Sequence, residues 1–238
     1  MKCTANKWIS RLTLVYIVIA VDAFADASDD PLIATVIIDQ FEVRDSNEEH
    51  PLVWEGQGWI GKDLNKLWFK TEGERLSGRT EEAELQALYS KAITSYWDIQ
   101  VGARRDFQPT PTRNWAVIGF QGLAPYFFEV DTALFIGESG RTAIRLEAEY
   151  ELLVTQKLIL SPDIELNFHG KNDEATGTGS GLSDIELGLR LRYEFIREVA
   201  PYIGINWYKK YGNTADFTQA EGENTSDTQL LIGIRLWY

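Results

Sequence analysis

Acidic residues occupy every second position in several apolar stretches of the sequence. Glu147 and Glu149 alternate with apolar residues in "RTAIRLEAEYELL". Glu129 and Asp131 do the same in "FFEVDTALF", and Glu186 does so in "SDIELGLRLRYEF". Carboxylates that share one face of neighbouring strands inside a pore favour the passage of cations. We therefore predict that these five residues line a cation path.

The same polar face also carries arginines, so a second interpretation stays open. Arg145, Arg190, Arg192 and Arg235 alternate with apolar residues in the same way as the acids do. Arg–Glu pairs between strands would tie a wall together where unpaired charge is costly. The lumen charges would then hold the wall together, or they would form a constriction that selects a solute by its charge.

Two histidines are the candidate ligands for a metal ion. His50 follows Glu48 and Glu49 in "DSNEEHP", and His169 precedes Asp173 and Glu174 in "FHGKNDE". An imidazole with nearby carboxylates can hold Cu(II) or Zn(II) loosely. Both segments are predicted to lie at the same rim of the protein, where the two histidines could converge. The alternative is that both are ordinary solvated loop residues.

Other chemistries find little support in the sequence. Cys3 and Met1 are the only cysteine and the only methionine, so the chain after residue 25 has no soft ligand for Cu(I) and no disulfide. No nucleophile has a base or an acid at the spacing of a catalytic motif, so we predict that the protein is not an enzyme. With a formal net charge of −13, the chain is not expected to bind nucleic acid.

The elements that carry these residues are strands, because apolar and polar residues alternate with a period of two from Thr35 to the end. We predict an all-β fold of about twelve strands. They span residues 34–44, 52–61, 64–76, 80–92, 96–107, 113–122, 126–137, 141–153, 157–168, 183–196, 201–211 and 228–238. Pro162 lies within the ninth strand and predicts a bulge or a split there.

The connections between these strands alternate in length. Links after even-numbered strands are short, whereas "HGKNDEATGTGSGL" and "GNTADFTQAEGENTSD" are long, polar links after odd-numbered ones. Short turns at one rim and long loops at the other are typical of a transmembrane antiparallel up-and-down β-barrel of the outer membrane. The apolar faces would then meet lipid. Aromatic residues near strand ends would lie at the membrane interfaces; the candidates are Tyr89, Tyr96, Trp97, Tyr126, Tyr150, Tyr193, Tyr202 and Tyr238. A secreted β-sandwich or a lipocalin-like barrel is the alternative.

The first residues have the features of a secretory signal. Lys2, Lys7 and Arg11 precede an apolar stretch, and Ala23-Phe24-Ala25 supplies a small-x-small cleavage pattern. The apolar stretch is shorter than the roughly 20 residues of a spanning helix. We predict a signal peptide at 1–25, a short acidic leader at 26–33 and a single barrel domain at 34–238.

Four stretches of the sequence resemble the copper-resistance protein B family of bacterial outer-membrane barrels. They are "WEGQGWIGKDLNKLWFKTEGE" (54–74), "AELQALYSKAITSYWDIQVGARRDF" (83–107), residues 122–173 from "GLAPYFFEVDTALF" onward, and "GSGLSDIELGLRLRYEFIREVAPYIGINW" (179–207). The resemblance implies an outer-membrane location and a role in copper tolerance, by export or by sequestration. It also implies copper ions, outer-membrane lipid and periplasmic copper-resistance proteins as partners, with copper bound at most loosely.

The chain departs from that family in one respect. Family members commonly carry a Met- and His-rich segment ahead of the barrel, whereas only about eight residues separate the predicted signal from the first strand here. We therefore expect the barrel without that segment, and no site residue is carried over from the resemblance.

Two other functions stay open at this point. The long loops at 169–183 and 212–227 could bind partners in a structural or adhesive barrel whose lumen is closed by its own ion pairs. The protein could also be a channel for another small solute, for example an oligosaccharide or a nucleoside. Trp59 and Trp68 could stack on such a solute if they face the lumen.

Overall fold

The computed structural model describes residues 31–46 and 50–238. The predicted signal peptide and most of the predicted acidic leader lie outside these residues. Thirteen strands and one α-helix follow one another along the described chain. The strands are β1 (Ile33–Asp45), β2 (Leu52–Gly61), β3 (Asn65–Leu76), β4 (Arg79–Ala92), β5 (Trp97–Gln108), β6 (Arg113–Ala124), β7 (Phe128–Gly137), β8 (Thr142–Glu149), β9 (Leu152–Leu153), β10 (Leu158–His169), β11 (Gly181–Tyr193), β12 (Val199–Lys210) and β13 (Ser226–Trp237), and the helix is α1 (Gly212–Ala220).

The sheet is a closed barrel with twelve strand positions, because its last strand returns to its first. Strand β13 pairs antiparallel with β12 on one side and with β1 on the other. The other neighbouring strands also pair antiparallel, and β8 and β9 lie end to end beside β10, so they share one position. This confirms the predicted up-and-down barrel, with strand ends within a few residues of those predicted.

The irregularity predicted around Pro162 falls in the neighbouring strand, so the prediction chose the wrong strand. Strand β10 runs unbroken through Pro162, whereas the chain beside it is interrupted at Tyr150 and Glu151. Proline has no N–H to donate to a neighbour. The ladder between β10 and the chain beside it therefore stops on one side of Pro162 and resumes on the other.

The outer surface of the barrel is apolar. In β13 the side chains of Leu230 and Ile232 are 62% and 64% exposed, whereas Leu231 between them is 5% exposed. The same alternation recurs around the barrel, as at Leu134 and Phe135 in β7. An apolar belt of this extent far exceeds the patches that soluble proteins present to water. The belt indicates a surface that faces lipid.

One rim, here called the turn rim, is formed by short connections and carries exposed aromatic residues. Tyr96, Tyr126, Tyr193 and Tyr238 are exposed there, as the predicted interfacial girdle requires. The prediction that Tyr202 belongs to the same girdle is wrong. Its side chain is 4% exposed and lies inside the barrel, because its hydroxyl donates a 2.8 Å hydrogen bond to Glu42.

The opposite rim, here called the loop rim, carries the longer connections, and one of them contains a helix that was not predicted. Helix α1 buries Thr214 and Thr218, and Thr214 Oγ1 accepts a 2.8 Å hydrogen bond from the Gly179 N–H. These contacts join the loop after β12 to the loop after β10. Among the described residues, no helix is both long and apolar enough to cross a membrane.

Candidate functional site: the barrel lumen

The candidate site is a cavity of about 470 Å³ inside the barrel, toward the turn rim. Twice as many acidic as basic side chains line it. The acidic residues are Asp39, Glu55, Glu72, Glu84, Glu129, Asp131, Glu147, Glu149, Asp163 and Glu165, and the basic residues are Lys70, Arg145, Arg190, Arg192 and Arg235. We call this space the inner cavity. Its excess of carboxylates gives it a field that attracts cations.

The strand register arranges many of these carboxylates in two rows. In the first row, Glu129 on β7 faces Glu149 on β8, which faces Asp163 on β10. In the second row, Asp131, Glu147, Glu165 and Glu186 stand side by side across β7, β8, β10 and β11. Like charges directly opposite one another on a sheet are destabilising. The rows therefore oppose stability unless cations compensate for their charge.

The five residues predicted for a cation path all belong to these rows. Glu129 and Glu149 have no basic side chain within 4.0 Å among the described residues, whereas Lys70 forms an ion pair with Asp131. Glu147 lies 3.8 Å from the Arg145 guanidinium. Glu186 ends the second row outside the inner cavity, where it forms a 2.9 Å ion pair with Arg44.

Arg145 stands beyond the second row, toward the loop rim, and its guanidinium reaches across the lumen. It lies 2.5 Å from Glu72 on β3 and 3.1 Å from Glu84 on β4. Its Nε lies 3.4 Å from Glu165. Arg104 forms a second ion pair with Glu84, at 2.5 Å. Its guanidinium also packs over the Phe135 ring, with 4.7 Å between the guanidinium carbon and the ring centre.

Phe135 belongs to an apolar cluster on the inner wall that sequence patterning missed. Its other members are Leu88, Trp115, Val117, Ala133 and Ala143, with Trp68 packed against it. In an alternating sequence, the polar residues mark the inward face, so an apolar residue at an inward position cannot be recognised as part of a cluster. Trp68 does line the inner cavity, and its ring lies 6.2 Å from that of Trp59. This cluster narrows the lumen on the β4–β8 side.

A second buried network, built around Glu42, was also missed. Glu42 is 1% exposed and accepts two 3.0 Å hydrogen bonds from Arg190, one of 2.8 Å from Arg44 and one of 2.8 Å from Tyr202. Glu42 alternates with Phe41 and Val43 in the sequence. However, a register shift between Ile38 and Glu42 changes which residues of β1 point inward, so the alternation does not continue through the whole strand.

A smaller space of about 220 Å³, here called the outer cavity, lies toward the loop rim. The loop after β10 is held beside it, because Arg113 makes two hydrogen bonds of 2.8 and 2.9 Å to Asp173 and Arg141 adds an ion pair of 2.8 Å. The hydrogen bonds from Arg113 lower the pKa of Asp173 below the ordinary aspartate value, although partial burial opposes this. Asp173 therefore stays ionised and fastens the loop.

The structure does not bring the two histidines together at this cavity. His169 lines it, and its Nδ1 is buried with no hydrogen-bond partner among the described residues. The His50 side chain is 65% exposed and lies 3.3 Å from Asp45, outside the cavity lining. Within residues 31–46 and 50–238 there is no group of three or more His, Cys, Asp or Glu side chains arranged to hold a metal ion.

Comparison with known proteins gives a family match over nearly all of the described chain. A family model described as copper resistance protein B precursor matches residues 32–238. A copper resistance protein B homolog of Pseudomonas syringae pv. tomato is 47% identical over 210 residues, which are 88% of this chain and 71% of that protein. Copper resistance protein B of Escherichia coli is 46% identical over 203 residues, which are 85% of this chain and 69% of that protein.

Solved structures share the fold at low sequence identity. The NanC porin aligns with a TM-score of 0.57 at 13% identity, covering 86% of this chain and 99% of its own. The KdgM porin aligns with a TM-score of 0.51 at 12% identity, covering 85% and 98%. The outer membrane phospholipase A of Escherichia coli aligns with a TM-score of 0.50 at 13% identity, covering 85% and 92%. Because porins and an enzyme share this barrel, the fold alone does not decide the activity.

Proposed function

This chain belongs to the copper resistance protein B family of outer-membrane barrels, and from that premise we propose that it lowers periplasmic copper by passing copper ions outward through its acidic lumen. Copper is the transported ion in this proposal and not a resident cofactor. The role is non-enzymatic, in keeping with the family and with the porin-like fold.

The observation that carries this proposal is the pair of carboxylate rows across β7, β8, β10 and β11. Placing like charges opposite one another costs stability, and uncharged side chains would avoid that cost. Glu129 and Glu149, nearest the turn rim, have no basic partner within 4.0 Å among the described residues. The turn rim of an outer-membrane barrel faces the periplasm. A cation from the periplasm would meet these two carboxylates first.

The proposed path then follows the strand register outward. Asp131 and Glu147 lie two residues further along β7 and β8, and Arg145 lies beyond them. His169 pairs in register with Ala143, further still toward the loop rim. Its unpartnered Nδ1 makes it the better suited of the two histidines to contact copper on the way out, because imidazole nitrogen is a favoured copper ligand. His50 lies outside the cavity lining.

The test compares a deletion strain with its parent for copper sensitivity and for copper accumulation in the periplasm. Export predicts higher sensitivity together with more periplasmic copper in the deletion strain. Sequestration by the barrel itself predicts higher sensitivity, less copper in the outer-membrane fraction of the deletion strain and no change in the rate of copper efflux. Unchanged sensitivity would overturn export and sequestration alike, and it would favour the structural or adhesive alternative.

A further inference from the structure

The inner and outer cavities are separated by a thin layer of side chains. Among the described residues, four line both of them: Glu72, Glu84, Phe135 and Arg145. Three of the four are charged and form one ion-paired group, and the fourth belongs to the apolar cluster on the inner wall. A solute that moves from one cavity to the other must therefore pass these residues.

Arg145 is the member of this layer that spans the lumen. It arises from β8, and its carboxylate partners Glu72 and Glu84 arise from β3 and β4 on the far side. Going around the wall, β8 is five strand positions from β3, close to the largest separation that twelve positions allow. Its guanidinium also lies 5.8 Å from the Phe135 ring centre, so little free space remains on the side of the apolar cluster.

The partners of Arg145 include acids of the second carboxylate row. Glu165 and Glu147, both in the second carboxylate row, lie 3.4 and 3.8 Å from its Nε. Together with Glu72 and Glu84, this places four carboxylates around one guanidinium. A cation that arrives at the second row therefore competes with Arg145 for the same oxygen atoms.

We propose that Arg145 is a tethered counter-ion that closes the lumen and is displaced by a divalent cation bound at the surrounding carboxylates. This inference rests on the proposed function, because it assigns the step that admits the transported ion. A divalent ion gains about twice the Coulomb energy of a monovalent ion from the same carboxylates. Displacement therefore selects for divalent cations and leaves the lumen closed to K⁺ and Na⁺.

The test measures K⁺ conductance and cation selectivity of the purified full-length protein in planar bilayers, and Cu²⁺ entry into liposomes that contain it. Wild-type protein should pass Cu²⁺ and show little K⁺ conductance. Arg145→Gln should raise the K⁺ conductance severalfold, with cation selectivity, and should lose the discrimination between Cu²⁺ and K⁺. Arg145→Lys, which keeps the charge, should remain closer to wild type.

Lys66→Gln is the control, because Lys66 is a partly buried base that forms an ion pair with Asp98 at 3.6 Å and lines neither cavity. Its K⁺ conductance should match that of wild type. If Arg145→Gln does not assemble, the double variant Arg145→Gln/Glu72→Gln removes one acid together with the base and should show the same severalfold rise. An assembled Arg145 variant with wild-type conductance, or with anion selectivity, would overturn the assignment.

The outcomes for this inference and for the proposed function can be told apart. If the deletion strain is copper-sensitive and Arg145→Gln conducts like wild type, the assignment of Arg145 fails and the proposed function stands. If the deletion strain has unchanged copper tolerance, the proposed function fails. A severalfold rise in conductance would then still support Arg145 as the residue that closes the lumen.

Discussion

Arg190 and Glu42 face each other inside the barrel through two hydrogen bonds of 3.0 Å each, although they are 148 residues apart in sequence. Arg190 lies on β11 and Glu42 on β1, so this bidentate pair joins strands that are three positions apart around the wall. Arg190 also reaches Asp163 at 2.5 Å and Gln40 at 2.8 Å. The pair fixes the cross-section of the barrel at this level, because bidentate pairing constrains both distance and orientation.

Removal of the Glu42 carboxylate should destabilise the barrel strongly. Glu42→Ala leaves Arg190, Arg44 and Tyr202 each without one partner in a buried site, and breaking a buried ion pair costs about 3–5 kcal/mol. Urea unfolding from lipid vesicles measures the change. Glu194→Gln is the control, because Glu194 lies 3.9 Å from Arg192 at the turn rim and should contribute less than about 1 kcal/mol. A loss at Glu42 as small as that at Glu194 would contradict this role.

Neutralising Glu129 and Glu149 of the first carboxylate row should impair copper tolerance without affecting assembly. Glu129→Gln/Glu149→Gln removes two carboxylates that have no basic partner within 4.0 Å among the described residues, so folding loses no ion pair. It also relieves a like-charge contact. A deletion strain that carries this variant should be more copper-sensitive than one that carries wild type at equal outer-membrane levels.

Glu138→Gln is the control for that experiment, since Glu138 lies in the turn between β7 and β8 at the loop rim, outside the inner cavity. It should restore copper tolerance fully. Full restoration by the double variant as well would argue against a cation path along this row.

Much of the fold could be predicted from the sequence, because alternate residues of a barrel strand face two different environments and differ in polarity accordingly. The last strand closes on the first and the Arg235 side chain points inward, both as the alternation predicts, and the strand ends lie within a few residues of those predicted. Arg235 lies 3.2 and 2.9 Å from these two carboxylates. The period of two carries this information whatever the partners of each strand are.

The partners across the lumen could not be predicted in the same way. Whether Arg145 reaches Glu72 or another acid depends on strand stagger and side-chain length, which alternation does not encode. Tyr202 was misassigned because an aromatic residue near a strand end fits a girdle and an inward position equally well. Helix α1 was missed because its buried face consists of Thr214 and Thr218, and its stability depends on contacts with the loop after β10.

His169 should be a copper contact, and His50 should not. With Cu(II) added to the purified protein, electron paramagnetic resonance should show coupling to an imidazole nitrogen. That coupling should be lost in His169→Gln, because Nδ1 of His169 is the nitrogen available beside the outer cavity. It should persist in the matched variant His50→Gln. The reverse pattern, or coupling that survives in both variants, would exclude His169 as the contact.

The loop after β10 should loosen at acid pH through Asp173. Its pKa is lowered in the folded protein, so its ion pairs stabilise the loop above the ordinary aspartate pKa of about 3.9, and this contribution is lost as the pH falls through the lower, folded-state value. Hydrogen exchange of residues 171–178 should show protection at neutral pH that is lost in that acid range. Asp173→Asn should lack the protection at every pH, whereas Glu174→Gln should behave like wild type. A pH-independent loop in the wild type would show that these ion pairs do not hold it.

Deletion of Tyr238 should slow assembly of the barrel, because this residue joins the last strand to the first. Its N–H donates a 2.8 Å hydrogen bond to the Val36 carbonyl, and its carbonyl accepts one of 2.7 Å from the Val36 N–H. Its ring, 90% exposed at the turn rim, lies where aromatic side chains favour the membrane interface. The fraction of heat-modifiable, folded protein in outer membranes measures assembly. Tyr238→Phe keeps both the backbone bonds and the ring and should assemble normally, whereas Tyr238→Ser keeps only the backbone bonds and should be intermediate. Wild-type levels of folded protein after the deletion would show that closure depends on the remaining pairs between β13 and β1 alone.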